Sequence, residues 1–140
     1  MSSTRARAFL DTNVLVYAFD AGEPAKRERA QAVIAERSES LVLSAQVLGE
    51  FYVVVTRKLE MPLTSEDAAA AVRLWSRFGT VALDAALVNE AVRTSRTAEI
   101  SYWDGLIVAA ARSAACERIL TEDLSDGATI TGVRIENPFR

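Results

Sequence analysis

Short apolar runs alternate with longer segments in which apolar residues recur at helical spacing. The runs at 8–10, 41–43, 80–83 and 118–121 predict β-strands. The segments 25–37, 45–58, 65–78, 85–97 and 102–115 predict helices. Because strands that alternate with helices form mainly parallel sheets, the pattern predicts an α/β fold.

Local residues indicate where some of these elements begin and end. Pro24 suits the first position of a helix, and the Ser44 side chain suits the cap of another. Residues 127–132 are predicted to form a loop, and residues 133–136 an edge strand. The core face of the helix 65–78 is predicted to hold Ala69, Val72, Leu74 and Trp75.

Length and composition indicate one soluble globular domain spanning residues 1–140. The chain is 50% hydrophobic and 25% charged. Its one cysteine, Cys116, excludes an intramolecular disulfide, fits a reducing cytoplasm, and is expected to pack in the core. No apolar stretch approaches the roughly 20 residues of a membrane helix. We therefore expect a cytoplasmic protein without a membrane partner.

Four acidic residues lie in or beside apolar segments, and they are the candidates for chemistry: Asp11, Glu50, Asp104 and Asp123. Carboxylates are seldom buried unless they are paired or bind a metal. The chain contains no histidine, which excludes a Ser-His-Asp or Cys-His nucleophile and a histidine zinc site. Oxygen-only ligands favour Mg²⁺ or Mn²⁺.

The predicted topology allows these distant acids to converge. Asp11 and Asp123 follow strands, and Asp104 begins a helix at the same edge of the sheet. Glu50 lies about one and a half turns into a helix that starts there. Two carboxylates 4 Å apart repel by about 4 kcal/mol at an effective dielectric of 20, and a bound divalent cation would remove that cost.

Each acid also has a purely structural interpretation. Asp11 could cap the following helix, and Asp104 could belong to a capping box with Ser101. Asp123 lies in an acidic turn, EDLSDG, where Asp126 could take its role.

Glu50 is the hardest of the four to explain structurally, because its helical neighbours are apolar, although Arg57 could pair with it. The adjacent Gly49 predicts close approach of another chain or a ligand, since glycine costs a helix roughly 1 kcal/mol against alanine.

Four motifs in order resemble those of PIN-domain ribonucleases, especially the toxins of bacterial VapBC toxin–antitoxin pairs. They are FLDTNVL at 9–15, SAQVLGEF at 44–51, SYWDGLIVAAA at 101–111 and ILTEDL at 119–124. The Asp-Thr-Asn of the first motif alone is weak evidence, because many α/β enzymes end a strand that way, but all four motifs in order at suitable separations are a strong signal. The chain's ending, IENPF, is similar to that of one PIN subgroup.

The resemblance implies a three-layer α/β/α fold with a mainly parallel sheet of four to five strands. It implies Mg²⁺- or Mn²⁺-dependent hydrolysis of RNA, with Asp11, Glu50, Asp104 and Asp123 as catalytic and metal-binding acids. It also implies ligand-orienting roles for Thr12, Asn13 and Thr121, a protein antitoxin as partner, and a homodimer.

Other interpretations remain open at this stage. A Mg²⁺-dependent phosphatase of the haloacid-dehalogenase type requires a second Asp at the position that Asn13 occupies here. A receiver-like domain requires a lysine late in the chain, and the last lysine of this chain is Lys58. A non-catalytic PIN-like protein-binding module is a third possibility.

The net charge of -3 argues weakly against a broad nucleic-acid surface. Candidates for a local basic path are Lys26, Arg27, Arg29, Arg57 and Lys58.

Overall fold

The computed structural model describes residues 6–140, so residues 1–5 of the predicted domain lie outside the described residues. Six strands form one sheet in the order β3-β2-β1-β4-β6-β5. They are β1 (Ala8–Leu10), β2 (Leu41–Ser44), β3 (Gly79–Val81), β4 (Arg118–Leu120), β5 (Thr129–Ile130) and β6 (Val133–Glu136). Neighbouring strands are parallel except β5 and β6, which are antiparallel. The predicted α/β fold with a mainly parallel sheet is confirmed.

Helices connect the strands and pack in two groups. They are α1 (Thr12–Tyr17), α2 (Pro24–Glu36), α3 (Ala45–Arg57), α4 (Ser65–Trp75), α5 (Ala85–Ala98) and α6 (Tyr102–Ser113). Helix α3 packs against α1 and α4, and α1 also contacts α2, whereas α5 packs against α6. Right-handed connections place the two groups on opposite faces, because the strand order reverses direction between β3 and β4.

Polar side chains fix where most of these helices begin. The side chains of Asp11, Ser44, Thr64, Asp84 and Ser101 each accept a hydrogen bond from a backbone N–H in the first turn of the helix that follows. Helix α2 instead begins with Pro24, whose missing N–H costs nothing at that position.

The core lies between the helices and the sheet. Strand β1 is fully buried, and so is the stretch of α6 from Gly105 to Ala111. An aromatic cluster forms part of the core on the side of α3 and α4. In it, Trp75 packs edge-to-face on Phe19 and Phe51, at 5.8 and 6.0 Å between ring centroids, and stacks on Phe78. Cys116 is buried as predicted, and burial raises the pKa of its thiol to about 11, so it is no nucleophile.

Three details of the prediction were wrong. The sheet has six strands rather than four to five, because part of the predicted loop 127–132 forms β5. Strand β6 is consequently not an edge strand, since it lies between β4 and β5. Helix α4 buries Ala68, Ala71 and Trp75, while Leu74 is 48% exposed. Alanines on both sides of the helix gave the sequence pattern too little contrast to define its face.

Across residues 6–140, none of the helices combines the length and the apolar character needed to cross a membrane.

Candidate active site

The candidate site lies at the carboxyl ends of β1 and β4, which are adjacent parallel strands in the centre of the sheet. The chain reaches β2 and β3 on one side of β1 and returns to β4 on the other. Ligands of open α/β sheets bind at such a reversal of strand order, because the connections on either side leave a crevice there. Asp11 follows β1, and Thr121 and Asp123 follow β4, so these residues lie at that crevice.

The Thr121 hydroxyl links the two acids. Its oxygen accepts from the Asn13 side-chain amide and from the Asp123 backbone N–H, both at 3.1 Å. With these two donors present, its single proton must go elsewhere, and it is donated to Asp11 Oδ2 at 2.9 Å. Thr121 itself is 0% exposed, so water does not compete for these bonds.

Asn13 forms a second bridge across the strands. Its amide nitrogen donates to Asp123 Oδ2 at 3.0 Å, and its Oδ1 accepts from the Glu122 backbone N–H at 3.4 Å. The backbone donor fixes which way the amide points, so the nitrogen faces Asp123. Asn13 therefore orients the Asp123 carboxylate.

Asp11 is the electrostatically perturbed acid of the site. Burial raises its pKa to about 6, even though hydrogen bonds from the Thr12 backbone and the Thr121 hydroxyl oppose the rise. The negative charges of Asp123 and Glu50 raise it further. Asp11 also caps α1 by accepting from the Thr12 N–H at 2.7 Å. The capping and functional interpretations therefore hold together.

The negative charge of Glu50 contributes to the raised pKa of Asp11, but its side chain lies on the exposed side of α3. Its carboxylate accepts from the Gln46 side chain at 2.7 Å, one helical turn earlier. The buried face of α3 is formed by Val47, Phe51 and Val55, so Glu50 has apolar neighbours along the helix but does not lie on its buried face. A Cβ added to Gly49 meets nothing within 4 Å, so no part of the described chain approaches it closely.

Asp104 lies in the first turn of α6, where its backbone N–H donates to the Ser101 side chain at 3.0 Å. Helix α6 runs antiparallel to β4, which places its first turn at the same edge of the sheet. Asp104 shares a helix face with Val108 and Ala111, which are fully buried one and two turns on. No hydrogen bond found in residues 6–140 joins Asp104 to Asp11 or Asp123. The neighbouring Trp103 is 64% exposed.

The structure separates Asp123 from Asp126. Asp126 Oδ1 accepts from the Asn137 backbone N–H at 2.9 Å, so this acid holds the C-terminal segment. Asp123 instead bonds to Asn13 in the site. Of the two acids that the sequence left as alternatives, Asp123 is the one that is hydrogen-bonded to Asn13 and Thr121 in the site.

Within residues 6–140, no group of three or more acidic or cysteine side chains is close enough to enclose a metal ion. The donors that are present nevertheless suit a hard cation. Asp11 and Asp123 offer carboxylate oxygens on a shared hydrogen-bonded frame, and the hydroxyl oxygen of Thr12, the residue after Asp11, is buried without a partner. Mg²⁺ commonly needs only one or two carboxylates, because water and substrate phosphate complete its shell. The residues therefore fit a partial oxygen shell.

A polar cluster that the sequence did not predict supports the acidic turn. Glu122 accepts from the Tyr17 hydroxyl at 2.5 Å and pairs with Lys26 at 3.1 Å. The Lys26 ammonium lies 4.7 Å above the centre of the Tyr17 ring, and Phe139 packs edge-on to that ring at 5.0 Å. Arg29 donates to the Pro138 carbonyl at 2.7 Å. Two cations that were candidates for an RNA path, Lys26 and Arg29, are thus engaged within the chain.

A family model described as "PIN domain" matches residues 8–125, a span that includes every residue of the site. The chain belongs to the PIN domain family. Comparison of this PIN domain with curated proteins gave no match.

Solved structures with the same fold include toxins and toxin–antitoxin complexes. The VapC20 toxin of Mycobacterium tuberculosis, described as cleaving the sarcin–ricin loop, is 23% identical with a TM-score of 0.67, and the match covers 83% of this chain and 89% of that one. A toxin–antitoxin complex from Klebsiella pneumoniae is 20% identical with a TM-score of 0.70, covering 94% and 97%. The DNA-bound VapBC complex of Salmonella typhimurium is 20% identical with a TM-score of 0.68, covering 96% and 99%. At these identities the similarity establishes the fold that this PIN domain shares with them.

Proposed function

We propose that this PIN domain is a Mg²⁺- or Mn²⁺-dependent endoribonuclease and the toxin of a bacterial toxin–antitoxin pair. The observation that carries the proposal is the frame joining Asp11, Thr121, Asn13 and Asp123 at the reversal of strand order. It holds two carboxylates together in a partly buried crevice, which is electrostatically costly unless a cation binds. Family membership and the toxins among its structural neighbours support the same reaction class.

The residues have distinct roles in this proposal. Asp11 and Asp123 are the main metal-binding acids, with Glu50 and Asp104 as further acids directly or through water. A bound divalent cation would lower the pKa of a coordinated water and stabilise the charge of the phosphate. The Thr121 hydroxyl donates to Asp11 Oδ2 and the Thr12 N–H donates to Asp11 Oδ1, which leaves one lone pair on each oxygen for the cation. Asn13 keeps Asp123 turned toward Asp11.

The nuclease proposal is tested by cleavage of a defined single-stranded RNA by the purified protein with Mg²⁺, with Mn²⁺ and with chelator. Asp11→Asn, purified identically, should lose at least a hundredfold in rate, which also excludes a contaminating nuclease. Asp67→Asn changes an exposed acid in the first turn of α4 and should keep full activity. Equal cleavage by wild type and Asp11→Asn would refute the assignment, and no cleavage by either would favour a binding module.

The proposed partner is a protein antitoxin, because structural neighbours of this fold are solved as toxin–antitoxin complexes. An arginine or lysine of that partner would suit the carboxylates in place of the cation, since a guanidinium or ammonium group satisfies the same oxygens. A homodimer and a cytoplasmic location complete the proposal. A protein encoded next to this gene should inhibit cleavage when it is added in equimolar amount. Undiminished cleavage would count against that protein as the partner.

A further inference from the structure

A cavity of about 340 Å³ adjoins the acidic site and shares residues with it. Its polar side is formed by Thr12, Asn13, Asp20 and Asp123, and its apolar wall by Val16, Tyr17, Val54 and Leu59. Its size falls in the range of small-molecule pockets, which combine mostly apolar walls with a few polar groups that fix orientation. The cavity is therefore continuous with the place where a phosphate would meet the acids.

The mixture of surfaces indicates what the cavity can hold. A phosphate is polar on every side and would gain little from the apolar wall. An aliphatic side chain would leave the carboxylate and the amide side unused. A nucleobase has two apolar faces and a polar edge, so it matches both surfaces at once.

The aromatic part of the wall is held rigidly. The Tyr17 hydroxyl is bonded to Glu122, the Lys26 ammonium lies over the ring, and Phe139 packs against its side. A wall that is already ordered loses little entropy when a ligand binds. These contacts come from three separate parts of the chain, which is more support than an ordinary surface tyrosine has.

We propose that this cavity binds one unstacked nucleobase of a single-stranded RNA, next to Asp11 and Asp123, where the RNA phosphate would meet a bound cation. The assignment rests on the proposed nuclease function and narrows its substrate to unpaired RNA, because a base within a duplex must leave its stack to enter a pocket. Val16, Val54, Leu59 and the Tyr17 ring contact the base, and they contribute to affinity rather than to the hydrolysis step.

The test is a double-mutant cycle between the wall and the base. Binding of a short single-stranded RNA is measured in chelator, by fluorescence anisotropy, against versions with one abasic position each. In the wild type, removing the base at one position should weaken binding about tenfold. Leu59→Ala should weaken binding of the intact RNA by a similar factor and leave binding of that abasic RNA unchanged.

Leu63→Ala is the matched control. Leu63 lies four positions further on and is also partly buried against the core, but it does not line the cavity. It should bind both RNAs as the wild type does. Val54→Ala provides a second cavity variant, and the abasic scan needs no substitution at all, so neither measurement depends on Leu59→Ala folding.

Three results would overturn the assignment: equal binding of the intact and all abasic RNAs by the wild type, equal weakening of both by Leu59→Ala, or no RNA binding. A cavity that instead receives an antitoxin side chain would give the first result. Cleavage is read separately with Mg²⁺. Base-dependent binding without cleavage would contradict the nuclease proposal and leave the nucleobase site standing.

Discussion

At the scale of single residues, one hydroxyl organises the candidate site. Thr121 has one proton to donate, and its oxygen already accepts from two donors. The direction of the hydrogen bond to Asp11 is therefore fixed by the neighbours and not by Asp11 itself. This residue scale yields two predictions, one for Thr121 and one for Asp11.

Thr121→Val keeps the shape of the side chain and removes the hydroxyl. The Asn13 amide and the Asp123 N–H then lose an acceptor, and Asp11 loses a donor. We expect a loss of about 1–3 kcal/mol in the free energy of unfolding and a weaker Mn²⁺ affinity by calorimetry. Thr121→Ser retains the hydroxyl and should recover most of both. If Thr121→Val binds Mn²⁺ as tightly as the wild type, the hydroxyl does not organise the site.

Asp11 should make metal-free stability depend on pH. Its pKa is about 6 in the folded protein against 3.8 for an ordinary Asp, so the folded state holds this proton more tightly than the unfolded state does. Stability from this group is full below pH 4 and is lost as the pH rises to about 6. Above pH 6 the penalty is on the order of 3 kcal/mol.

Asp11→Asn removes that penalty but also one hydrogen bond to Thr121, worth about 1 kcal/mol. In chelator its Tm should exceed that of the wild type at pH 7.5 and fall below it at pH 4. Mn²⁺ should stabilise the wild type more than the variant. A Tm difference between variant and wild type that does not change from pH 4 to pH 7.5 would mean that the Asp11 carboxylate carries no burial penalty.

At the scale of elements, two glycines in helices have opposite surroundings. A Cβ on Gly105 of α6 would lie 2.7 Å from the Ala91 carbonyl oxygen of α5, so these helices approach closely only because the side chain is absent. A Cβ on Gly49 of α3 would meet open space. The two positions therefore separate close packing from helix propensity.

Gly105→Ala should lower the free energy of unfolding by about 1–3 kcal/mol, because α5 and α6 must move apart. Gly49→Ala should raise it by up to about 1 kcal/mol, because alanine is the better helix former and nothing obstructs it. Urea denaturation of both variants measures the difference. Destabilisation by Gly49→Ala in the isolated protein would contradict the open surroundings of this residue.

At the scale of the whole molecule, the net charge is negative, so the path of the RNA depends on where the basic residues are concentrated. Lys26 pairs with Glu122, whereas Arg57 and Lys58 end α3 immediately before Leu59 of the cavity wall. Changing Arg57 and Lys58 together to Gln should weaken RNA binding and lower the salt slope by about 1.4, since two fewer phosphates are neutralised. Mn²⁺ affinity should stay unchanged. An unaltered slope would place the path elsewhere.

The sequence predicted the parallel strands, and the places of Asp11 and Asp123 directly after two of them, because local patterns determine both. Apolar strands followed by Asp11 and Asp123 define the carboxyl edge without knowledge of tertiary contacts. Strand β5 was missed because two residues acquire strand geometry only by pairing with β6. The exposure of Glu50 and the cluster around Glu122 were missed for the same reason. They depend on which helices and turns meet, and the local pattern of residues does not record that.

The two tryptophans of the chain stand in contrasting surroundings, which makes the protein its own optical reporter. Trp75 is 4% exposed within the aromatic cluster, and Trp103 is 64% exposed beside Asp104. Trp75 should emit at shorter wavelength and resist quenching by acrylamide until the protein unfolds. Trp103 should emit at longer wavelength and be quenched readily in the native state. Loss of the short-wavelength emission of Trp75 therefore reports that the packing of α4 has melted. Protection of the long-wavelength emission of Trp103 from acrylamide reports that a molecule has bound near the start of α6. Both signals come from one unlabelled sample.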